Sequence, residues 1–450
     1  MTRPAPGEAQ AESGPMSVAG IGRQQNRATA TATGVGRDFL IAMLLGSGVV
    51  ATRLPYLHHF ALMGKDGPLY IQALTLDRAF DVPMPGNLGY VLLGKLANLG
   101  LANPTHAYLA VNIALTCVGV VFAYLFATLI VSRPLAAATA FSFACNPMVW
   151  WHGAVIASYP VWIAVLPAIG YFGLRFVRGR AFGDLLGATL ALGVGMILRP
   201  DLLAFGTPLW FGCLVWGRAR WRDWLIAITI LAMACAFWFF GTAWVLGGVD
   251  VYLERVRAKS AGDAEGFSFQ RRGLVEGLLR NGTKYGFFLA WSSILFLIPF
   301  SIAVVHRLRT LSLCWRGTLL ALLWVGPSWY FSFFVFAGNA GLIFPFLPLL
   351  YVGAAQGFDL WLGRRGTVQP VVAMVVLGLL SALQFVATPL LPETNQRQVI
   401  LNVMFFRHTG AGIRQRYNYN LDDYRISPTL ASVSRQIKSP EPIPYFPPKN

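Results

Sequence analysis

The chain has 450 residues, of which 56% are hydrophobic, 14% aromatic and only 12% charged. An ordinary soluble globular protein has about 25% charged residues, so this composition excludes that class. The formal net charge of +17 does not indicate nucleic-acid binding. Most basic residues lie in short clusters between long apolar runs, as they do in the loops of membrane proteins.

The apolar runs define the organisation of the chain. Residues 1–36 are rich in Ala, Gly, Pro, Ser, Thr and Gln, which predicts a disordered cytoplasmic leader. The first apolar run, Phe39 to Leu54, is not followed by a cleavage site and a soluble domain, so it predicts a retained helix. Further runs, near the length of about 20 residues that crosses the hydrocarbon layer, follow at 107–131, 135–151, 154–174, 182–198, 202–217, 224–247, 286–305, 317–337, 341–362 and 368–391. We therefore expect an all-α, polytopic transmembrane helical bundle of about 11 helices.

The short connections between these runs differ in charge, and those near 152 and 338 contain no arginine or lysine. Every second connection contains arginine, at Arg133, Arg175, Arg178, Arg180, Arg218, Arg220, Arg222, Arg307, Arg309, Arg316, Arg364 and Arg365. Because cytoplasmic loops carry such an excess, we predict a multi-pass protein of the cell inner (plasma) membrane with a cytoplasmic N-terminus and an extracytoplasmic C-terminus. The transmembrane domain is then 37–391, with outer loops at 55–106 and 248–285, and 392–450 is a short extracytoplasmic tail.

The first outer loop contains the candidate catalytic acid, Asp66. A carboxylate held at the membrane surface suits a general base that takes a proton from an acceptor hydroxyl. The sequence Asp66-Gly-Pro also fits the start of a helix, with the acid as its N-cap and proline in its first turn. The two roles are compatible, and a short amphipathic helix is expected here.

A second candidate is Arg199-Pro-Asp201, at the outer end of an apolar run. An arginine and an acid beside lipid require partners or a wet cavity. A guanidinium binds phosphate through paired hydrogen bonds, so Arg199 is a candidate for the phosphate of a donor and Asp201 for the substrate pocket. The alternatives are a mutual pair between the two residues or an arginine that extends to the interface.

The loop 248–285 is basic and amphipathic, and it contains several aromatic residues. Such a segment lies along anionic headgroups or binds a lipid-linked phosphate. Headgroup binding explains most of its charges. Arg271, Arg272 and Lys284 are the candidates for phosphate binding.

His152 follows two tryptophans, and Tyr159 follows shortly after, in a connection that faces outside. Aromatic side chains there suit a sugar ring, which makes both residues candidates for the substrate pocket. An interfacial aromatic belt explains the tryptophans equally well.

No metal, nucleotide or protease motif is found. His58 and His59 lie near Asp66, but adjacent histidines do not point the same way on a helix, and no carboxylate lies at helical spacing to join them. No cofactor is therefore predicted, although a divalent metal beside Asp66 is left open. The cysteines lack CxxC spacing and predict no zinc site.

Several motifs together resemble the GT-C superfamily of membrane glycosyltransferases, which use polyprenyl-phosphate sugars as donors. The helical layout over most of 37–391 agrees. The matching motifs are Asp66-Gly-Pro-Leu-Tyr70, Pro83-Met-Pro-Gly-Asn-Leu-Gly-Tyr90, Arg199-Pro-Asp201 and Phe344-Pro-Phe-Leu-Pro348. The chain departs from the family at Gly67, where relatives often carry a second acid, and at 338–341, where relatives often carry an arginine before the late helix. The resemblance adds Tyr70 and Tyr90 to the predicted substrate pocket.

The resemblance implies an inverting, single-displacement transfer of a sugar from a polyprenyl-phosphate donor to a lipid, glycan or protein acceptor of the cell envelope. Asp66 would be the base, and Arg199 with Arg271 or Lys284 would stabilise the departing phosphate. The expected partners are the lipid-linked donor and membrane lipids. A transporter or flippase of a lipid-linked glycan is an alternative, but charged residues are almost absent from the middle of the apolar runs. A glycan polymerase or ligase is the other alternative.

Overall fold

A computed structural model describes residues 18–57, 66–75, 84–267, 273–309, 311–336, 339–363, 366, 368–392, 394, 398 and 408–417. These residues form helices and short connections, with no strand among them. The chain divides into two compact units, Met1–Leu44 and Leu45–Asn450, and every residue of the candidate site belongs to the second unit.

The α-helices of the described residues are, in chain order, α1 (Val18–Arg53), α2 (Asp66–Thr75), α3 (Leu88–Leu101), α4 (Pro104–Thr128), α5 (Arg133–Ala144), α6 (Pro147–Gly153), α7 (Pro160–Gly179), α8 (Phe182–Leu198), α9 (Leu202–Trp216), α10 (Trp221–Val245), α11 (Val249–Phe267), α12 (Leu274–Arg309), α13 (Leu311–Tyr330), α14 (Leu347–Leu362), α15 (Val368–Ala387) and α16 (Gly410–Tyr417). Short 3₁₀ turns lie at Leu54–Tyr56 and Ala340–Ile343, and a π-helical turn continues α13 over Phe331–Val335.

Seven helical segments of the described chain are long and apolar enough to cross a membrane. They are Gly36–Tyr56, Pro104–Thr128, Pro160–Gly179, Trp221–Val245, Leu274–Arg309, Trp315–Val335 and Val368–Ala387. Each coincides with a predicted apolar run, and α8 and α9 are shorter apolar helices at predicted positions. The all-α, multi-pass membrane bundle is therefore confirmed, whereas the total of about 11 spans stays a prediction.

The predicted span at 135–151 is wrong as a single helix. It is divided into α5 and α6, because Pro147 has no N–H to continue the helix. The side chain of Asn146 instead accepts from the backbone N–H groups of Met148 and Val149 and caps α6. With 12 residues, α5 is about 18 Å long, too short to cross the hydrocarbon layer alone.

Two other segments differ from the sequence-based expectation. α1 begins at Val18, so at 18–36 the structure has a helix where composition predicts a disordered leader. The outer loop predicted at 248–285 is largely helical, because α11 fills its first part and α12 begins at Leu274. Lys284 therefore lies within a helix and not in a loop.

α7 is the central helix of the bundle. It packs against α4, α8 and α9. Of the residues in its most apolar segment, 72% are buried inside the protein, against 22% for α10. Apolar residues gain little by leaving lipid for a protein interior, so the close packing of side chains rather than exclusion of water stabilises such a helix. The N-terminus of α7 supports the candidate site.

Candidate functional site

Three buried tyrosines join the first loop to α4. Tyr70 of α2 and Tyr90 of α3 have ring centroids 4.8 Å apart, and Tyr108 of α4 lies 5.1 Å from Tyr90 and 5.6 Å from Tyr70. The Tyr90 hydroxyl lies 2.8 Å from Oδ1 of Asn112 and 3.0 Å from the carbonyl oxygen of Ala157. Burial and the two neighbouring tyrosines raise the pKa of Tyr90 well above its ordinary value. The Tyr90 hydroxyl therefore stays protonated.

A chain of hydrogen bonds runs from this tyrosine cluster to Arg199. Asn87 Nδ2 donates to the Tyr70 hydroxyl at 2.6 Å and, over a longer 3.4 Å, to Ser158 Oγ. Arg199 Nη1 donates to the same Ser158 Oγ at 2.7 Å. The structure thus brings together Tyr70, Tyr90 and Arg199, which three separate segments of the sequence contribute.

The Arg199 guanidinium is held on several sides. Nε donates to both carboxylate oxygens of Asp201, at 3.0 and 2.9 Å, so the mutual pair considered for the sequence is present. The guanidinium carbon lies 3.9 Å from the ring centroid of Tyr159 and 4.8 Å from that of Trp162. The indole of Trp162 also donates to Asp201 at 2.9 Å. These contacts fix both the position and the plane of the guanidinium.

Arg199 keeps its charge although it is buried. Burial disfavours the guanidinium cation, but the charge of Asp201 and electrostatic interactions with Tyr159 and Tyr70 outweigh that cost, and the net effect raises the pKa of Arg199 above its ordinary value. The Arg199 side chain is 11% exposed, whereas that of Asp201 is 26% exposed. A permanent cation with little access to water is suited to binding an anion strongly.

His152 and Tyr159 pack together next to Arg199. Their ring centroids are 5.5 Å apart, and Phe344, from the segment before α14, lies 4.7 Å from His152. His152 Nδ1 donates to the carbonyl oxygen of Met148 at 2.8 Å, since a carbonyl can only accept. Trp150 and Trp151 are buried inside the protein, which argues against an interfacial aromatic belt.

Other predicted site residues stand apart from this network or lie outside the description. Asp66 is the first residue of α2, one turn ahead of Tyr70, but its side chain lies outside the described part. Arg271 and Arg272 also lie outside it, as do His58 and His59. The roles of all these residues stay predictions.

Lys284 is half-buried on α12. The next residue, Tyr285, packs on Phe333 of the π-helical turn at 5.4 Å, and Phe331 of that turn packs on Phe205 at 5.6 Å. Phe205 in turn lies 4.9 Å from Trp162. Aromatic contacts on both sides of the π-helical turn therefore join the helix of Lys284 to the surroundings of Arg199.

The sequence-based prediction missed the polar residues that connect the site. Asn87 and Ser158 link Tyr70 to Arg199. The side-chain oxygen of Asn112 accepts a hydrogen bond from the hydroxyl of Tyr90. Asn112 stands in the apolar run of α4, where a buried amide needs a partner. This is a signal that hydropathy alone overlooks. Asn87 and Ser158 lie in turns, where such residues are common and carry no signal.

Among the described residues, no group of three or more His, Cys, Asp or Glu side chains is placed to hold a metal ion. The segment containing His58 and His59 is not covered by that observation. The site in the described part of the chain is built from hydroxyl, amide, guanidinium and aromatic groups, with one carboxylate from Asp201 and one imidazole from His152.

No protein-family model matches the sequence, and no curated protein matches it significantly. Solved structures do match it. ArnT from Cupriavidus metallidurans bound to undecaprenyl phosphate has a TM-score of 0.52 and 16% identity, over 78% of this chain and 66% of ArnT. The apo form of the same protein has a TM-score of 0.50 and 18% identity, over 74% and 62% of the two chains.

The apo oligosaccharyltransferase of Archaeoglobus fulgidus matches with a TM-score of 0.50 and 12% identity, over 92% of this chain. The chain spans only 61% of the length of that protein. At these identities the likeness concerns the fold. ArnT and the oligosaccharyltransferase are GT-C proteins, so the resemblance to the GT-C superfamily is confirmed at the level of the fold.

Proposed function

We propose that this chain is a membrane glycosyltransferase that moves a sugar from a polyprenyl-phosphate donor to a lipid, glycan or protein acceptor. The observation that carries the proposal is the hydrogen-bond chain from Tyr70 on α2, the helix that Asp66 begins, to the buried cation of Arg199. It occurs in a GT-C fold, and one protein of similar fold, ArnT, binds undecaprenyl phosphate.

The proposed reaction is a single displacement with inversion. The carboxylate of Asp66 takes the proton from an acceptor hydroxyl, and the acceptor oxygen forms a bond to the anomeric carbon of the sugar. The bond from that carbon to the phosphate oxygen breaks, and its electron pair leaves with the polyprenyl phosphate. Arg199, with Lys284 or Arg271, stabilises the negative charge on the phosphate. No covalent sugar–enzyme intermediate forms.

The pocket for the sugar is proposed to be lined by Tyr70, Tyr90, His152, Tyr159 and Asp201. Aromatic faces with a few polar groups suit a sugar ring. These residues lie in or next to the hydrogen-bonded network that surrounds Arg199, which supports their assignment to one pocket. We place the enzyme in the hexosyltransferase type.

The proposed membrane is the cell inner (plasma) membrane, with the N-terminus in the cytoplasm and the site outside. α7 starts beside Tyr159 and ends at Gly179, just before Arg180, and α8 returns to Arg199. The arginine-rich ends of these helices are therefore opposite the candidate site, as the positive-inside rule expects of an extracytoplasmic site.

The substitution Asp66→Asn tests the proposal. It removes the base but keeps the side-chain shape, so sugar transfer in membranes with a labelled polyprenyl-phosphate sugar should fall by about 10²–10⁴-fold. Protein levels in the membrane should be unchanged. A matched control is Asp250→Asn, because Asp250 is an exposed acid in the first turn of α11 and outside the site.

Full transfer activity in the Asp66→Asn variant would reject Asp66 as the base. The chemical state of the label decides between transfer and transport. A glycosyltransferase separates the label from its lipid phosphate, whereas a flippase moves the label across the membrane still attached to the lipid.

A further inference from the structure

We propose that Asn87 is a positioning residue, which fixes α2, and with it Asp66, relative to Arg199. The inference rests on the proposed function for its catalytic consequence, but its structural part can be measured independently.

The turn before Asn87 is anchored to α10 and α11. The carbonyl oxygen of Gly86 accepts from the indole of Trp238 at 2.8 Å, and that of Pro85 accepts from the Tyr252 hydroxyl at 3.0 Å. Gly86 has φ +109°, and a Cβ at this position would lie 2.7 Å from Cγ2 of Thr242. Only glycine meets both conditions, so the backbone leading to Asn87 has a fixed path.

The helix after Asn87 is docked on the helix that ends at Arg199. A Cβ added at Gly89 of α3 would lie only 2.6 Å from the carbonyl oxygen of Ile197, in the last turn of α8. The two backbones can approach this closely because Gly89 has no side chain. Asn87 is therefore held next to the C-terminus of α8, where Arg199 follows.

The amide of Asn87 bridges the two sides of the site. Its side chain is almost fully buried and its Nδ2 contacts both the Tyr70 hydroxyl and Ser158 Oγ. Its Oδ1 has no hydrogen-bond partner among the described residues. Burying an unsatisfied amide oxygen is unfavourable, and an apolar side chain of the same size would avoid that cost. The amide is thus explained by the bridge and not by packing.

A rigid bridge of this kind matters most for the transition state. Displacement requires the base, the acceptor oxygen, the anomeric carbon and the departing phosphate in one geometry, and an error of about 1 Å can reduce the rate by about 10²-fold. The donor binds mainly through Arg199 and its neighbours. Loss of the Asn87 bridge is therefore expected to reduce kcat more than it changes KM for the donor.

The experiment compares Asn87→Ala with Asn98→Ala in the full-length protein in detergent. Asn98 is a partly buried amide of the same helix, α3, outside the bridge. Hydrogen–deuterium exchange of residues 66–75 should become about tenfold faster or more in Asn87→Ala, with α7 unchanged. Transfer should show kcat lower by about 10²-fold, with KM for the donor within about twofold. Asn98→Ala should change neither quantity.

The conservative variant Asn87→Asp separates the bridge from folding. Its carboxylate keeps the shape of the amide and can accept from the hydroxyls of Tyr70 and Ser158, so exchange in 66–75 should stay close to that of the wild type. Wild-type exchange of 66–75 in Asn87→Ala would overturn the proposal. Faster exchange of 66–75 in Asn87→Ala with an unchanged kcat would also overturn the proposal, because Asn87 would then hold α2 in place without any effect on catalysis. Failure of the proposed function would appear differently, as full activity of Asp66→Asn, and would leave the exchange result to decide whether Asn87 holds α2.

Discussion

The two ends of α8 each carry an Arg–Asp ion pair. The same contact between an arginine and a carboxylate has a different role at each end, because the two arginines differ in their exposure to solvent and in their other partners. At the N-terminal end, Arg175 of α7 lies 3.0 Å from Asp184, and its side chain is 47% exposed. At the C-terminal end, Arg199 lies 2.9 Å from Asp201, and its side chain is 11% exposed. The distances are nearly equal, whereas the environments are not.

The partners of the two arginines explain their different roles. Arg175 contacts the hydroxyl of Tyr171 on its own helix, as expected of a residue at the membrane surface. Arg199 also contacts Ser158, and it lies over the ring of Tyr159. Asp184 is itself only 11% exposed, so the two pairs differ chiefly in the exposure of their arginines. An ion pair between exposed side chains contributes only about 0–1 kcal/mol, and the solvent around Arg175 weakens its pair in the same way. A buried pair requires complete hydrogen bonding, and it is the stronger candidate for a functional site.

The largest expected difference between the two ends concerns Arg199→Lys. An ammonium has the same charge but cannot form the two-pronged contact or lie flat over an aromatic ring. We expect kcat/KM for a polyprenyl-phosphate sugar donor to fall by about 10²-fold. Initial rates over a series of donor concentrations, in membranes with equal amounts of protein, measure the effect. Unchanged donor use would remove the phosphate role of Arg199.

A smaller effect is expected from Gly89→Ala, which disturbs the surroundings of Arg199 without changing the ion pair. The added methyl group meets the carbonyl oxygen of Ile197, so α3 must move away from the end of α8. Overpacking of this kind costs about 1–3 kcal/mol, and both the melting temperature in detergent and the transfer rate should fall.

The matched control is Gly100→Ala on the same helix, because nothing lies within 4 Å of a Cβ at Gly100. Alanine is a better helix former than glycine by about 0.5–1 kcal/mol, so this variant should be neutral or slightly stabilised. Equal destabilisation by the two substitutions would show that the contact between α3 and α8 is not the cause.

The smallest effect is expected from Arg175→Lys at the other end of α8. A lysine keeps the charge beside Asp184, and substitutions at exposed positions usually change stability by no more than about 0.5 kcal/mol. Melting temperature and transfer rate should both stay at wild-type values. A loss comparable with that of Arg199→Lys would mean that the environment does not distinguish the two pairs.

Local features of the sequence predicted the spans well but their interruptions poorly. Mean hydropathy over a window of about 20 residues identifies a span because lipid surrounds most positions equally. The break between α5 and α6 comes at Pro147, a single residue that a mean over such a window averages out. Asn146 before it caps α6 and also donates to Ser292, Ser293 and Tyr351. Those contacts join positions far apart in the chain, so a window cannot detect them.

The candidate site also contains some residues that the sequence alone identifies and others that only the structure identifies. Residue chemistry was enough to select Arg199, because an arginine and an acid at the end of an apolar run need partners, and Tyr159, because an aromatic wall suits a sugar ring. Tyr70 and Tyr90 follow only from the resemblance to the GT-C superfamily. Asn87 and Ser158 are ordinary turn residues, and only their position between Tyr70 and Arg199 distinguishes them. Asp66 stays a prediction that the substitution above tests.

The sequence by itself determined that the chain crosses a membrane through apolar helices, since hydropathy and charge are properties of short segments. The tertiary structure alone decided that α2, the N-terminus of α7 and the C-terminus of α8 meet around one buried cation. Such a meeting depends on close helix packing, as at Gly89 against Ile197. It also depends on hydrogen bonds between residues far apart in the chain, and no local pattern encodes either.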